Sequence, residues 1–195
     1  MPRVTQAHRD QQQARIHAAA ERCFAQHGFQ ATSMDGVIAE AGMSSSTVYR
    51  YFPGGKRELV RSVSSHRLGR LAERLAELSR ASQPLPISEV FAQVLISLDG
   101  DGGFNATARL AINVWAELPR DSELHNDLGS CFQQIGQHAL GLAKLWHEAG
   151  MIRLAPKDAA AVMLRQALGL MAEEVLWGGA DLQQAGRQLE QLLGT

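Results

Sequence analysis

Apolar residues recur every three to four positions along nearly the whole chain, and no stretch alternates in the manner of a β-strand. Ile16, Ala19, Ala20, Cys23 and Phe24 fall at i, i+3, i+4, i+7 and i+8, which predicts one buried stripe on a first helix. Gly28 supplies a C-cap for it. Thr32 stands three residues before Asp35 and predicts a capping-box-like start for a second, short helix buried through Val37, Ile38 and Ala41 and ended by Gly42. Ser44 opens a third helix through about Phe52, and Pro53-Gly54-Gly55 closes it. A fourth helix starts near Lys56 and carries Leu68, Leu71, Leu75 and Leu78 at 3-4-3 spacing.

Ser82-Gln83-Pro84-Leu85-Pro86 is a break, and five further helices follow by the same pattern. They run from about Ile87 to Leu98, from Phe104 to Leu118, through Leu124 to Trp146, from Pro156 to about Trp177, and from Asp181 onward. Residues 99–103, Asp-Gly-Asp-Gly-Gly, read as a flexible turn. The fold class is therefore all-α, with about nine helices. An N-terminal three-helix helix-turn-helix domain (residues 1–60) precedes a larger helical domain (residues 61–195).

Composition adds little to this picture. The chain has 195 residues, 45% of them hydrophobic, enough for a buried core, and a net charge of −1, so it is no nucleic-acid polycation as a whole. Residues 1–60 carry seven basic groups against five acidic ones, and the excess reverses in the remainder. Cys23 and Cys131 lie among apolar residues and read as reduced and buried, a disulfide being the lesser alternative. The N-terminus lacks the apolar run of a signal peptide, and no segment approaches the ~20 apolar residues of a membrane span. A cytoplasmic protein without membrane contact is the expectation.

Both tyrosines of the chain fall within Ser46-Thr47-Val48-Tyr49-Arg50-Tyr51-Phe52, just after a glycine turn. Two short helices joined in this way form a helix-turn-helix, whose second helix enters the major groove of DNA. Ser45, Ser46 and Thr47 occupy the helix start, which reaches base edges, and their hydroxyls both donate and accept. Tyr49 offers a rigid ring with a polar tip. Arg50, Tyr51 and Lys56 suit phosphates, as do the hydroxyls and N–H groups of Thr32 and Ser33 at the second helix start. Ser44 serves first as a cap. Val48 and Phe52 read as core.

In ordered combination, four segments resemble the DNA-binding domain of the TetR family of bacterial transcriptional regulators. They are Phe24-Ala25-Gln26-His27-Gly28-Phe29-Gln30-Ala31-Thr32-Ser33, Val37-Ile38-Ala39-Glu40-Ala41-Gly42-Met43-Ser44, residues 46–52 and Lys56-Arg57-Glu58-Leu59. The resemblance covers roughly residues 9–62. It implies a homodimer that places each third helix in a double-stranded DNA operator, with Thr47, Tyr49, Tyr51 and Lys56 at the family's contact positions. Pro53-Gly54-Gly55 holds one residue more than the family usually has there, which shifts Lys56 by a few ångströms.

Other chemistries find no frame. No histidine pair stands at i, i+4, and there is no HExxH, CxxC, GxSxG or phosphate-cradling glycine loop, so neither catalysis, a metal site nor a cofactor is expected. In the body, Gly129, Gly136 and Gly141 interrupt the long helix and would permit close approach of another helix or a ligand. The helix from Pro156 to Trp177 is apolar on most faces and, with the last helix, is the candidate dimer interface through Leu168, Met171, Val175, Leu182 and Leu189. Phe104, Arg109, Asn113, Trp115, Phe132, Trp146 and Met163 are candidates to line a pocket for a small-molecule effector.

These features lead to a sequence-specific transcriptional regulator, a repressor released from its operator by a small apolar effector. The alternatives are an activator or ligand-independent regulator on the same fold, and a helical small-molecule-binding protein or enzyme with a vestigial helix-turn-helix.

Overall fold

A computed structural model of the chain describes residues 6–98 and 103–194. Among them are α1 (Gln6–Ala31), α2 (Met34–Ala41), α3 (Ser45–Tyr51), α4 (Gly55–Ser79), α5 (Ile87–Ile96), α6 (Gly103–Glu117), α7 (Ser122–Glu148), α8 (Pro156–Leu176) and α9 (Leu182–Leu193). The described residues contain no strand; one isolated bridge joins Ile152 to Gly194. The turn expected at residues 99–103 lies outside them except for Gly103, which begins α6.

Local chemistry fixes most helix ends. Ser44, Asp121 and Asp181 cap α3, α7 and α9 by accepting from backbone N–H groups one turn on. Gly42 adopts the left-handed conformation that ends α2. The start of α2 differs from the capping-box reading. Its cap is Ser33, whose hydroxyl accepts from Gly36 N–H at 3.0 Å. Thr32 is buried, and its hydroxyl is occupied by α1, donating within reach of Gly28 O (2.8 Å) and Cys23 O (3.1 Å). Gly28 breaks α1 at φ +75, a value that favours glycine, and a Cβ there would come 3.2 Å from Asn113 Oδ1 on α6.

Two clusters of buried residues form the core. One joins Ile16, Ala20 and Phe24 of α1 to Val37, Val48, Phe52, Leu59 and Val63, and is completed by Leu110 and Val114 of α6 and by Leu124 and Leu128 of α7. The head thus shares its core with the body, and residue 60 lies inside the continuous α4. The second cluster is built by α4, α5, α7, α8 and α9 around fully buried Trp146, Leu95, Leu142 and Leu189. Helix α9 lies against α5 so closely that a Cβ at Gly186 would meet Ser88 O at 2.6 Å. Of the glycines in α7, only Gly141 is closely packed, with a Cβ position 3.3 Å from Ser79 Cβ; Gly129 and Gly136 face open space.

Candidate nucleic-acid interface and ligand cavity

Helix α3 is held to the head by Val48 and Phe52, both buried, and it turns its other face outward. Ser44, Ser45, Ser46, Tyr49 and Arg50 are exposed; Thr47 and Tyr51 are half-buried. The Ser44 hydroxyl accepts from Thr47 N–H at 3.2 Å and lies 2.8 Å from Thr47 Oγ1 and 3.1 Å from Ser46 Oγ, so the hydroxyls form one linked group at the helix start. Tyr49 is 42% exposed, unusual for a large ring without a partner to cover it. The Arg50 guanidinium stands 5.7 Å from the centre of the Tyr51 ring, which stiffens both. Ser33 is exposed beside this face.

Two residues expected at the phosphates face inward. Thr32 is buried as described. Lys56 Nζ donates to Phe29 O (3.1 Å), Gln30 O (3.2 Å) and Thr32 O (3.0 Å), and lies 4.7 Å from the centre of the Phe29 ring. Its charge therefore closes the carbonyl end of α1, where a cation is favoured. Gly54 and Gly55, the latter at φ +68, make the turn that sets Lys56 in this place.

The body contains a cavity of about 500 Å³ between α4, α5, α6, α7 and α8. Its walls are almost wholly apolar. Of the residues expected around a pocket, Trp115, Phe132 and Met163 line it. Four others do not. Trp146 is fully buried in the core and donates its indole N–H to Leu85 O at 3.0 Å. Phe104 packs against the body's core. Arg109 and Asn113 belong to an exposed ladder on α6, with Arg109 Nε donating to Asn105 Oδ1 (3.1 Å) and Asn113 Nδ2 to Arg109 O (2.8 Å). Residues not expected at a pocket also line the cavity, among them Leu68 and Leu71 from the apolar stripe of α4, Phe91, and the polar Ser64, Arg67 and Thr107. Ser64 and Arg67 stand on the apolar stripes of α4, four residues after Val60 and Val63, and that position is the signal that reveals them.

Arg67 links cavity and head. Its Nη2 reaches Glu21 Oε2 on α1 at 2.6 Å, and its Nη1 reaches Thr107 Oγ1 at 2.6 Å and Leu98 O at 2.9 Å. Beside this pair, His17 is buried between α1 and α4, with Nε2 2.9 Å from Ser62 Oγ and its ring 5.7 Å from Phe52 and 5.4 Å from His66. Burial, reinforced by His66 and opposed by Glu21, pulls its pKa down to about 4. At the other end of the head, Arg57 pairs with Asp121 at 2.8 Å and Arg61 with Glu123 and Asp127, tying α4 to the start of α7. The Asp121 carboxyl is held below its usual range by Leu124 N–H first and Arg57 second.

Of the residues considered for a dimer interface, Leu189 is fully buried within the chain because α9 turns its apolar face onto α5, and Met171 of α8 is buried where it lines the cavity. Val175 and Leu182 pack against the same core. Leu168 is 48% exposed, and Leu176, Trp177 and Leu192 are exposed with it. Cys23 is buried and Cys131 half-buried, both as free thiols; burial pushes the Cys23 thiol up.

An outward-facing α3 on a three-helix head, set on a helical body with an apolar cavity, defines the class of helix-turn-helix transcriptional regulators. Residues 16–63 match the model of the family described as bacterial regulatory proteins, tetR family. This segment is similar to the DNA-binding domain of that family, and the chain has the fold of TetR-family regulators. An uncharacterized HTH-type transcriptional regulator of Bacillus subtilis, YfiR, is 34% identical over 82 residues, which span 42% of this chain and 38% of that relative. Among solved structures, SmeT, the repressor of the Stenotrophomonas maltophilia multidrug efflux pump SmeDEF, is similar at TM-score 0.66 and 22% identity, over 92% of this chain and 87% of that one. FadR from Bacillus subtilis in complex with stearoyl-CoA is similar at TM-score 0.69 and 21% identity, over 93% and 97%. No described helix is long and apolar enough to cross a membrane.

Proposed function

We propose that the chain is a homodimeric repressor whose α3 helices read an operator and whose affinity for it falls when a small, largely apolar effector fills the body's cavity. Residues 1–60 act as the reading head and 61–195 as the effector-binding and dimerising body. The observation that carries this reading is the path from cavity to head: Arg67 lines the cavity and grips Glu21 on α1. The names of similar proteins agree with it, one a repressor and another holding a ligand with a long acyl chain.

Ser45, Ser46, Thr47 and Tyr49 are the base-reading group, while Ser33, Arg50 and Tyr51 hold phosphates. Thr32 and Lys56 set the head's frame. The two α3 helices of a dimer must stand about one DNA turn apart, ~34 Å, to enter successive major grooves. A ligand that spreads α4 from α6 shifts the head through Arg67 and changes that spacing, so the two ligands oppose each other by linkage.

Selection of bound fragments from the source genome, followed by footprinting near physiological salt, tests the reading. A protected inverted repeat is the expected result. Weak binding without sequence preference would overturn it.

A further inference from the structure

We infer that the cavity's ligand is a mostly apolar, uncharged molecule bearing one hydrogen-bonding group, and that Ser64 holds that group. This rests on the cavity being the effector site proposed above. Besides the Trp115 indole, whose N–H can only donate, three lining residues carry polar side chains: Ser64, Arg67 and Thr107. Two are already committed. The Thr107 hydroxyl donates to Leu98 O at 2.8 Å and accepts from Arg67 at 2.6 Å. The Arg67 charge is matched by Glu21.

Ser64 differs. Its residue is 5% exposed, and its Oγ is buried with no hydrogen-bond partner among the described residues. An unmet hydroxyl in an apolar wall is costly in the free protein, and a ligand group that meets it recovers that cost on binding. Because a hydroxyl both donates and accepts, it accommodates an alcohol, a carbonyl or an amide. A charged ligand fits poorly. An anion would have to break the Arg67–Glu21 pair, and a cation would find no carboxylate among the lining residues. The volume of about 500 Å³ lies in the range of small-molecule sites.

The test uses the full chain and the neutral fluorescent dye N-phenyl-1-naphthylamine, displaced by two probes of nearly equal shape, 2-naphthol and 2-methylnaphthalene. Wild type and Ser64→Ala are compared, with melting curves to show that both are folded. The expected result is that Ser64→Ala weakens 2-naphthol about fivefold relative to 2-methylnaphthalene, the loss of one hydrogen bond, while 2-methylnaphthalene itself is little changed. An unchanged ratio overturns the role of Ser64 and leaves the cavity as a ligand site. Failure of wild type to take up the dye overturns the cavity reading, and the inference with it.

Discussion

Arg67 and Glu21 form a 2.6 Å ion pair between α4 and α1, with side chains only 13% and 19% exposed. Forty-six positions apart in the chain, they join the wall of the cavity to the helix on which the head is built. The same guanidinium bonds the last turn beyond α5 and a threonine of α6. A lysine has no rigid fork with which to hold these partners together.

Glu21→Gln should therefore leave operator affinity without ligand nearly unchanged and reduce the ligand's effect on it. Binding of a selected operator fragment, measured with and without a cavity ligand, checks this. A coupling of the ordinary 1–3 kcal/mol should fall by about half or more. The substitution should also lower stability by about 1–2 kcal/mol in urea denaturation, since it leaves Arg67 partly buried without its countercharge.

Ser64→Ala should stabilise the free protein by about 1 kcal/mol. It removes a buried hydroxyl that has no partner and puts a better helix former in the middle of α4. Urea denaturation of the ligand-free protein measures this directly, and a loss of stability would show that the hydroxyl is satisfied in solution.

His17 makes stability depend on pH. Its folded-state pKa of about 4 lies below the usual 6.5, so as pH falls the unfolded chain takes up a proton that the folded protein refuses. Stability is full above pH 6.5 and declines between 6.5 and 4. From pH 6.5 to 5, above most carboxylate titration, the decline is about 1.5 kcal/mol. His17→Gln should flatten this part of the curve.

Much of this architecture is legible in the sequence because helices declare themselves locally. The apolar stripe from Ile16 to Phe24 and the caps at Ser44, Asp121 and Asp181 need only their neighbours to act. The cavity is less legible because it depends on which stripes face each other. Trp146 and Trp115 have the same chemistry, yet the first is sealed in the core by Leu85 O and the second lines the cavity. Ser64 shows in the sequence as a small polar residue on an apolar stripe, but the cavity it lines does not. Thr32 and Ser33 are adjacent candidates for one cap, and only the break at Gly28, which turns the Thr32 hydroxyl back onto α1, decides between them.

Tyr49 and Lys56 should separate reading from framing. Tyr49 is exposed, so Tyr49→Ala should leave melting unchanged and cost about 1–3 kcal/mol of specific operator binding. Lys56→Ala removes two bonds to the last turn of α1 and one to Thr32 just beyond it, and should destabilise the head by about 1–2 kcal/mol. The salt dependence of binding distinguishes the roles. Loss of a phosphate contact lowers the slope by about one, and for Lys56→Ala the slope should stay as it was.

The exposed apolar residues give the proposed dimer its test. Leu168, Leu176 and Trp177 of the α8 segment and Leu192 of α9 are exposed by 48%, 67%, 79% and 64%, while the neighbouring Met171 and Leu189 serve the subunit's own core. Exposure on this scale costs hydrophobic free energy that pairing recovers, at roughly 25 cal/mol per Å². Trp177→Asp should thus keep the helical content of the parent yet sediment as a monomer at micromolar concentration, where the parent sediments as a dimer. The same variant should bind a half-site as weakly as a single head does, losing the cooperative affinity for an inverted repeat. If Trp177→Asp remained dimeric and Leu189→Asp alone dissociated the pair without unfolding it, the interface would lie on the opposite face of α9.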